Sequence, residues 1–335
     1  MNTKHSSADG RTPNFSRNVD LEELLKDINS TLWRAEKKLI ESPCSPQFHA
    51  ILLMGPMRSG TTLFIQWLAN IGLVAYPTNL LSRLYRAPII GAKIQLLLTD
   101  PRYNFRDELG EFAQQVEYKS ENGKTKGVLA PNEFWYFWRR FLADPARDVW
   151  TDDELRQSMD VRTMLAELGG IMDVFEKPFA AKGMLFNYNI PFLDSVLDKV
   201  LFIQIKRDPV ANVASVLDAR KRQLGSEEKW YSFKIPEYER LSGLDPVTQV
   251  AGQVYYINRA VTAGLEGVAD ERKLLVQYED FCANPQQVYR EIVARIKPEG
   301  MGLDYSGPDS FSSTRSDDFP NREKITKALA SFSHA

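Results

Sequence analysis

Short apolar runs alternate along the chain with segments in which apolar residues recur at helical spacing. Near the start, this spacing predicts an amphipathic helix that ends at about Leu39 and carries on one face Leu21, Leu24, Leu25, Ile28, Leu32 and Trp33. A short apolar run at 48–54 follows, then a glycine-containing loop at 55–60, then a periodic segment that Gly72 stops. A strand, a loop and a helix in this order predict the opening of a parallel α/β sheet.

Three later apolar runs predict three more strands. They lie within 178–185, 197–209 and 271–281, and each is followed by sequence of helical period. Strands that alternate with helices need crossover connections, which make the strands parallel and cover both faces of the sheet. The sequence therefore predicts an α/β fold: a P-loop-type parallel sheet flanked by helices on both faces, with a helical insertion.

The domain organisation follows from where the periodicity is lost. Residues 1–18 are polar and without periodicity, which predicts a disordered tail ahead of a single domain at 19–335. Helix and loop are predicted for about 80–178, which would be the insertion and the acceptor region. A short helix at about 321–332 is predicted to close the chain.

Two helices are predicted inside the insertion. The first follows Glu133 and is aromatic all round, with Phe134, Trp135, Tyr136, Phe137 and Trp138 in succession. Much of this helix must therefore lie in a core. The second helix spans 151–177, and Thr151 followed by Glu154 has the pattern of a capping box.

Composition and charge set limits on the class of protein. The chain has 335 residues, 43% hydrophobic and 26% charged, as in ordinary globular proteins. Its net charge of −2 excludes a general polyanion binder, so we expect no nucleic-acid partner and only a local anion site. Cys44 and Cys282 cannot form a disulfide framework. Residues 1–18 hold no secretory signal, and the apolar stretch at 88–98 is too short to span a membrane. We therefore expect a soluble, cytoplasmic protein without a transmembrane segment.

The loop at 55–62 carries the first candidate chemistry. It matches the phosphate-binding pattern GxxxxGK[ST] at both glycines and at the final hydroxyl, but Thr61 stands where the lysine would be. Backbone N–H groups of such a loop and the following helix still form an anion cradle. Arg58 adds a cation within the loop, which suits a 5′-phosphate that ends in another anionic group. The alternative is that the glycines only make a tight turn.

A second candidate site lies at the next strand end. Arg207 ends the strand at about 201–206, Asp208 and Pro209 suit the start of a helix, and Ser215 lies eight residues after Arg207. Taken alone, this pattern favours Arg207 as a cap partner and Ser215 as a solvated or packed hydroxyl over a shared phosphate site.

Together the two segments resemble the sulfotransferases that use 3′-phosphoadenosine 5′-phosphosulfate (PAPS). The string PMRSGTTL resembles the 5′-phosphosulfate loop of that family, which has (K/R)-S-G-T-T where this chain has residues 58–62. The family holds the 3′-phosphate with an Arg and a Ser spaced as Arg207 and Ser215 are, around an R-[DN]-P turn. Residues 273–285 are similar to a late strand and YEDL-P stretch of the same family. Most of 75–180 resembles no specific segment.

The resemblance implies a set of donor-binding residues and no metal. The set is Arg58, Ser59, Gly60, Thr61, Thr62, Arg207 and Ser215, with Arg315 of the late loop as a clamp over the nucleotide. It further implies that Arg58 stabilises the leaving phosphate and that Lys182 is directed at the phosphosulfate bridge. A solvated lysine and a disordered late loop are the alternatives for Lys182 and Arg315.

A general base is expected among the carboxylates. Family members use His or Glu, but the histidines of this chain, His5, His49 and His334, lie in the tails or just before the first strand. We expect Glu133 to be the base because it lies between an apolar run and the aromatic helix; favourable charge at a helix N-terminus is the alternative. Glu108 and Glu111 are rival candidates. Asn79 stands where some family members carry glutamate.

The expected activity is sulfuryl transfer from PAPS to an acceptor hydroxyl, and the aromatic segment suggests a carbohydrate or glycolipid acceptor. Two other functions are kept as alternatives. One is a P-loop kinase or NTPase that uses Mg-ATP, although the loop lacks its lysine. The other is a non-catalytic nucleotide-binding protein of the same fold, although Arg58 is present. The oligomeric state is left open.

Overall fold

Four parallel strands form the sheet in a computed structural model, which describes residues 11–41, 46–112, 116–120, 124–296, 304–313, 319 and 321–333. The strands are β1 (Ala50–Met54), β2 (Phe179–Lys182), β3 (Val200–Lys206) and β4 (Lys273–Gln277), in the order β2-β1-β3-β4. All three neighbouring pairs are parallel. The predicted fold class, a parallel α/β sheet with helices around it, is confirmed.

Helices surround this sheet and fill the connections between its strands. No helix in the described ranges is both long and apolar enough to cross a membrane. The α-helices of the described chain are α1 (Val19–Leu39), α2 (Thr61–Asn70), α3 (Pro88–Thr99), α4 (Trp135–Arg139), α5 (Asp152–Ser158), α6 (Val161–Phe175), α7 (Ile190–Val196), α8 (Pro209–Leu224), α9 (Tyr238–Ser242), α10 (Pro246–Glu266), α11 (Tyr278–Ala283), α12 (Pro285–Ile296) and α13 (Arg322–Ser333).

The sheet separates two apolar cores. Every residue of β1 is buried, and successive residues point to opposite faces. Ile51 and Leu53 join one core with α2, α11 and α12, whereas Leu52 and Met54 join the other with α6, α8, α10 and α13. A strand that is buried on both faces needs apolar residues throughout, which explains the continuous run AILLM.

Several predicted helices are confirmed with changed bounds. The first helix begins at Val19, capped by the Asn18 side chain. The predicted helix at 151–177 is wrong as one element: it is divided into α5 and α6, because Met159 is extended and Asp160 caps the second helix. The capping box of Thr151 and Glu154 is confirmed.

The N-terminal segment differs from the predicted disordered tail. Residues 1–10 lie outside the described part of the chain. From residue 11 onward the segment contacts the C-terminal end of α8, because Thr12 donates from its backbone N to the Gln223 carbonyl (2.9 Å) and from Oγ1 to the Arg222 carbonyl (2.9 Å). Thr12 thus satisfies carbonyl groups that a helix end leaves without partners. In the structure, the described part of this segment thus contacts α8.

The central strand β3 provides a test of the packing. Phe202 is fully buried, so Phe202→Ala should lower the free energy of unfolding by about 3–5 kcal/mol. Leu275 of the edge strand β4 is 59% exposed, and Leu275→Ala should change the free energy of unfolding by no more than about 0.5 kcal/mol. Urea unfolding of both variants measures the difference. Equal losses would contradict the assigned core.

Candidate active site

A cavity of about 590 Å³ lies where the carboxyl ends of the strands meet. The loop after β1 forms one wall, and Lys182, Arg207 and Tyr278 contribute from the ends of β2, β3 and β4. Ligand sites in open α/β sheets occur at this edge. Six lining residues are cationic and two are carboxylates, namely Arg11, Arg58, Lys124, Arg139, Lys182 and Arg207 with Glu133 and Asp148. The cavity is thus a local cationic site on a chain of net charge −2.

Two asparagine side chains hold the loop at 55–62 in place. Asn187 makes two hydrogen bonds to Gly55: its Oδ1 accepts from the backbone N (3.0 Å), and its Nδ2 donates to the carbonyl (2.9 Å). Asn212 of α8 donates from Nδ2 to the Met57 carbonyl at 2.8 Å. Both amides are buried, so the loop is fixed to the elements after β2 and β3.

Gly60 allows the loop to turn directly into α2. Its φ is +103°, and a Cβ there would lie 2.1 Å from Cδ2 of Tyr278. Any side chain would therefore meet an aromatic ring as well as an unfavourable backbone conformation. No side chain within the described ranges caps α2, so the N–H groups of its first turn are available to an anion.

Arg58 connects the loop with the second predicted half-site. Its Nε donates to Ser215 Oγ at 3.2 Å, and its carbonyl accepts from Nη1 of Arg207 at 3.1 Å. Arg58 adopts a left-handed φ of +64°, which costs about 1–3 kcal/mol for a residue other than glycine. Burial lowers the pKa of Arg58, and the charge of Arg207 lowers it further. The loop therefore holds a partly buried cation at a strained position, an arrangement that favours an anionic ligand.

Two buried polar atoms beside Arg58 have no partner in the described structure. They are Nε of Arg207 and Oγ of Ser59. The Arg207 guanidinium lies 5.1 Å from the Tyr278 ring centroid, and Glu279 accepts from the backbone N of the next residue, Asp208, at 3.0 Å. Since buried polar groups are nearly always hydrogen-bonded and Arg207 lines the cavity, its Nε is suited to a ligand with oxygen acceptors, whereas Ser59 does not line the cavity.

Lys182 and Glu133 form an ion pair at the other side of the loop. Lys182 Nζ donates to Thr62 Oγ1 at 2.9 Å and to Glu133 Oε1 at 3.3 Å. Burial alone would raise the pKa of Glu133, but the charges of Lys182 and Lys124 and a hydrogen bond from Trp135 Nε1 hold it below the usual value. Burial lowers the pKa of Lys182, which Glu133 opposes. Glu133 is therefore ionised at neutral pH.

A short network aims Glu133 into the cavity. Asn79 Oδ1 accepts from Asn132 Nδ2 (2.9 Å), and Asn132 Oδ1 accepts from the backbone N of Phe134 (3.0 Å). Phe134 has a left-handed φ of +58°, which turns the chain into α4 immediately after Glu133. Asn79 thus supports the segment that carries Glu133.

The cavity brings together most of the residues that the sequence singled out. Arg58, Gly60, Thr61, Thr62, Glu133, Lys182 and Arg207 line it. Ser59 and Ser215 do not line it: Ser59 is fully buried and Ser215 is bonded to Arg58. Arg315 lies outside the described residues. The rival carboxylates Glu108 and Glu111 are exposed and do not line the cavity.

Sequence reasoning missed Asn187, Asn212 and Tyr231, the last of which also lines the cavity. Asn187 follows β2 within a polar FNYN segment, and polar residues at strand ends are a signal that could have found it. Asn212 and Tyr231 had no such signal, since one lies on an ordinary helix and the other in a loop between helices.

Comparison with known proteins gives a family match and similar solved structures, two of which have a TM-score of 0.54. A model of the sulfotransferase family matches residues 50–299. Sulfotransferase STF9 from Mycobacterium avium is 17% identical, with a TM-score of 0.54 over 97% of this chain and 86% of that protein. Sulfotransferase STF1 from Mycobacterium tuberculosis H37Rv is 14% identical, with a TM-score of 0.54 over 90% of this chain and 81% of that protein. At these identities the two structures show likeness of fold. No curated protein matches the chain.

The contact between Gly60 and Tyr278 predicts a stability difference between two glycine variants. Gly72 also has a left-handed φ, +71°, but a Cβ there would meet nothing within 4 Å. Gly72→Ala should therefore cost about 1–2 kcal/mol of unfolding free energy. Gly60→Ala should cost about 1–3 kcal/mol more, because the Tyr278 ring must move. Denaturant unfolding tests this, and equal costs would show that Tyr278 does not constrain the loop.

Proposed function

The chain belongs to the sulfotransferase family, and we propose that it transfers a sulfuryl group from PAPS to an acceptor hydroxyl. One observation carries the proposal: Arg58 contacts both Arg207 and Ser215. The resemblance assigns the loop around Arg58 to the phosphosulfate end of PAPS and the other two residues to its 3′-phosphate. When bound, PAPS supplies the sulfuryl group and leaves as adenosine 3′,5′-bisphosphate.

The residues of the cavity fit such a donor. The uncapped first turn of α2 offers N–H groups, and Arg207 Nε offers a donor that has no described protein partner. The volume of about 590 Å³ is within the range of sites that enclose small ligands. The excess of cationic side chains matches a ligand that carries several negative charges.

The roles of three side chains follow from where charge changes during transfer. Sulfuryl transfer should resemble phosphoryl transfer, with a loose transition state and charge building up on the leaving phosphate oxygen. Arg58 stabilises that charge, and Lys182 adds a second cation next to the start of α2. Glu133 accepts the proton of the acceptor hydroxyl, which it can do because its carboxylate is ionised.

We further propose a carbohydrate or glycolipid acceptor. Trp135, Trp230 and Phe233 line the cavity, and the rings of Trp135 and Phe233 lie 6.1 Å apart. Aromatic faces stack on the apolar faces of sugar rings, and their polar edges tolerate the neighbouring hydroxyls. Trp135 and Phe233 thus form an aromatic part of the cavity wall.

Two observations favour this proposal over the alternative functions. In a P-loop kinase or NTPase, the hydroxyl equivalent to Thr62 binds magnesium, whereas here Thr62 Oγ1 accepts from the Lys182 ammonium at 2.9 Å. That positive charge disfavours a divalent cation beside it. The second observation is that the ion pair of Glu133 and Lys182 places a carboxylate in the cavity, a group that a protein that only binds an anionic nucleotide does not need there.

Transfer of label from [³⁵S]PAPS tests the proposal directly. The full chain is incubated with PAPS and a panel of sugars, glycolipids and phenols, with EDTA in one series. We expect label in at least one hydroxyl-bearing acceptor and an unchanged rate with EDTA. Transfer of ³²P from γ-labelled Mg-ATP, with none from PAPS, would show a kinase instead.

Arg58→Ala should lower turnover by about 10²–10³, because the leaving phosphate loses the cation that receives its charge. Arg58→Gly is the matched control for the backbone, since glycine accepts the φ of +64° without strain. Both variants should be equally impaired in turnover, while Arg58→Gly should be the more stable. Steady-state kinetics and thermal unfolding measure the two effects. Recovery of turnover in Arg58→Gly would mean that Arg58 acts through the backbone alone.

Glu133→Gln should lower turnover by about 10²–10⁴ with the fold intact. Glutamine keeps an oxygen for the Trp135 indole but cannot take a proton. Glu108→Gln and Glu111→Gln are the controls and should be near normal, because both residues are exposed outside the cavity. Loss of activity in Glu108→Gln, with activity retained in Glu133→Gln, would assign the general base to Glu108.

The pH dependence of the unmodified chain gives an independent test of Glu133. Its pKa in the folded protein lies below the usual 4.5, so the carboxylate is ionised above that pH and the stability it contributes is lost only as the pH falls through the lowered value. The acid limb of kcat/KM should therefore lie below pH 4.5. An acid limb near neutral pH would assign the titrating group to another residue.

A further inference from the structure

Tyr231 lines the cavity but has no part in the mechanism described so far. It lies in the segment between α8 and α9, outside both motifs that resemble the sulfotransferase family. Arg58, proposed for the leaving group, and Glu133, the proposed base, line the same cavity.

The backbone around Tyr231 is firmly held. Gln253, which is fully buried in α10, donates from Nε2 to the Tyr231 carbonyl at 3.1 Å. Trp230 Nε1 donates to the Phe233 carbonyl at 3.1 Å, which closes the segment on itself. Ser232 has a left-handed φ of +72°, a conformation that persists only where the surroundings impose it. The backbone position of Tyr231 is therefore fixed before a ligand binds.

The O–H hydrogen of Tyr231 is available for a hydrogen bond to a ligand. Gln223 Nε2 donates to this oxygen at 3.2 Å, so the phenol acts there as an acceptor. A phenol has one O–H donor, and within the described ranges no protein group accepts from it. Burial raises the pKa of Tyr231, so the hydroxyl is neutral and protonated at physiological pH. It can donate a hydrogen bond to a ligand and does not serve as a base.

We propose that the Tyr231 hydroxyl donates a hydrogen bond to an oxygen of the sulfuryl group of PAPS, which makes it a further catalytic residue. The transferring group must lie between the cation that receives the leaving-group charge and the carboxylate that takes the acceptor's proton. Tyr231 lines the same cavity as Arg58 and Glu133. The inference rests on the proposed function, since it requires PAPS as the donor.

The test compares two ligands that differ only in the sulfuryl group. Calorimetry measures Kd for PAPS and for adenosine 3′,5′-bisphosphate in the unmodified chain and in Tyr231→Phe. We expect the variant to bind PAPS about tenfold more weakly. Its Kd for the bisphosphate should stay within about twofold, because that ligand has no group for Tyr231 to contact. Tyr136→Phe is the control, since Tyr136 is 53% exposed and does not line the cavity.

The outcomes separate this inference from the function on which it rests. Equal weakening for both ligands would assign Tyr231 to a phosphate or to the loop structure, and no weakening for either would show that it touches neither ligand. Both results overturn the inference while PAPS binding by the unmodified chain still supports the function. If the unmodified chain bound neither ligand, the function and the inference would both be wrong.

Discussion

The Arg207 side chain contacts the backbone of Arg58, a residue from a distant part of the chain, at the carboxyl end of the sheet, and the proposed site depends on this contact. Arg207 donates to the carbonyl of Arg58, and the Arg58 guanidinium donates to Ser215. Burial and the neighbouring positive charge both make ionised Arg58 less favourable. A bound anion offsets both effects, so an arrangement that is costly by itself favours binding. The fold holds the loop in this state through Asn187 and the close approach of Gly60 to Tyr278.

The pair of Lys182 and Glu133 balances charge on the other side of the same loop. Lys182 is 6% exposed, and a buried ammonium needs a partner. Glu133 supplies that partner at 3.3 Å. On the proposed mechanism, protonation of Glu133 removes the negative charge that neutralises Lys182. The ammonium then acts fully on the negative charge that appears on the departing phosphate, so proton transfer and leaving-group stabilisation support each other.

The features of the molecule that depend on local sequence pattern could be predicted from the sequence alone. Apolar runs, glycines and capping residues predict the strands, the loop and most helix starts, because each is decided within a few residues. The contact of Arg58 with Ser215 and the position of Tyr231 depend on how distant elements pack, which periodicity does not encode. The break after α5 was missed because Met159 is apolar at a helical position yet extended. The attachment of Thr12 to α8 was missed because its segment has no apolar pattern.

Calorimetric titration of the full chain with adenosine 3′,5′-bisphosphate and with AMP tests the central claim most directly. The two ligands differ only in the 3′-phosphate, which Arg207 and Ser215 are proposed to hold. Since a hydrogen bond to a charged group contributes about 1.5–3 kcal/mol, AMP should bind at least about tenfold more weakly. Equal affinities would contradict the account, because the second motif would then have no role in binding the nucleotide.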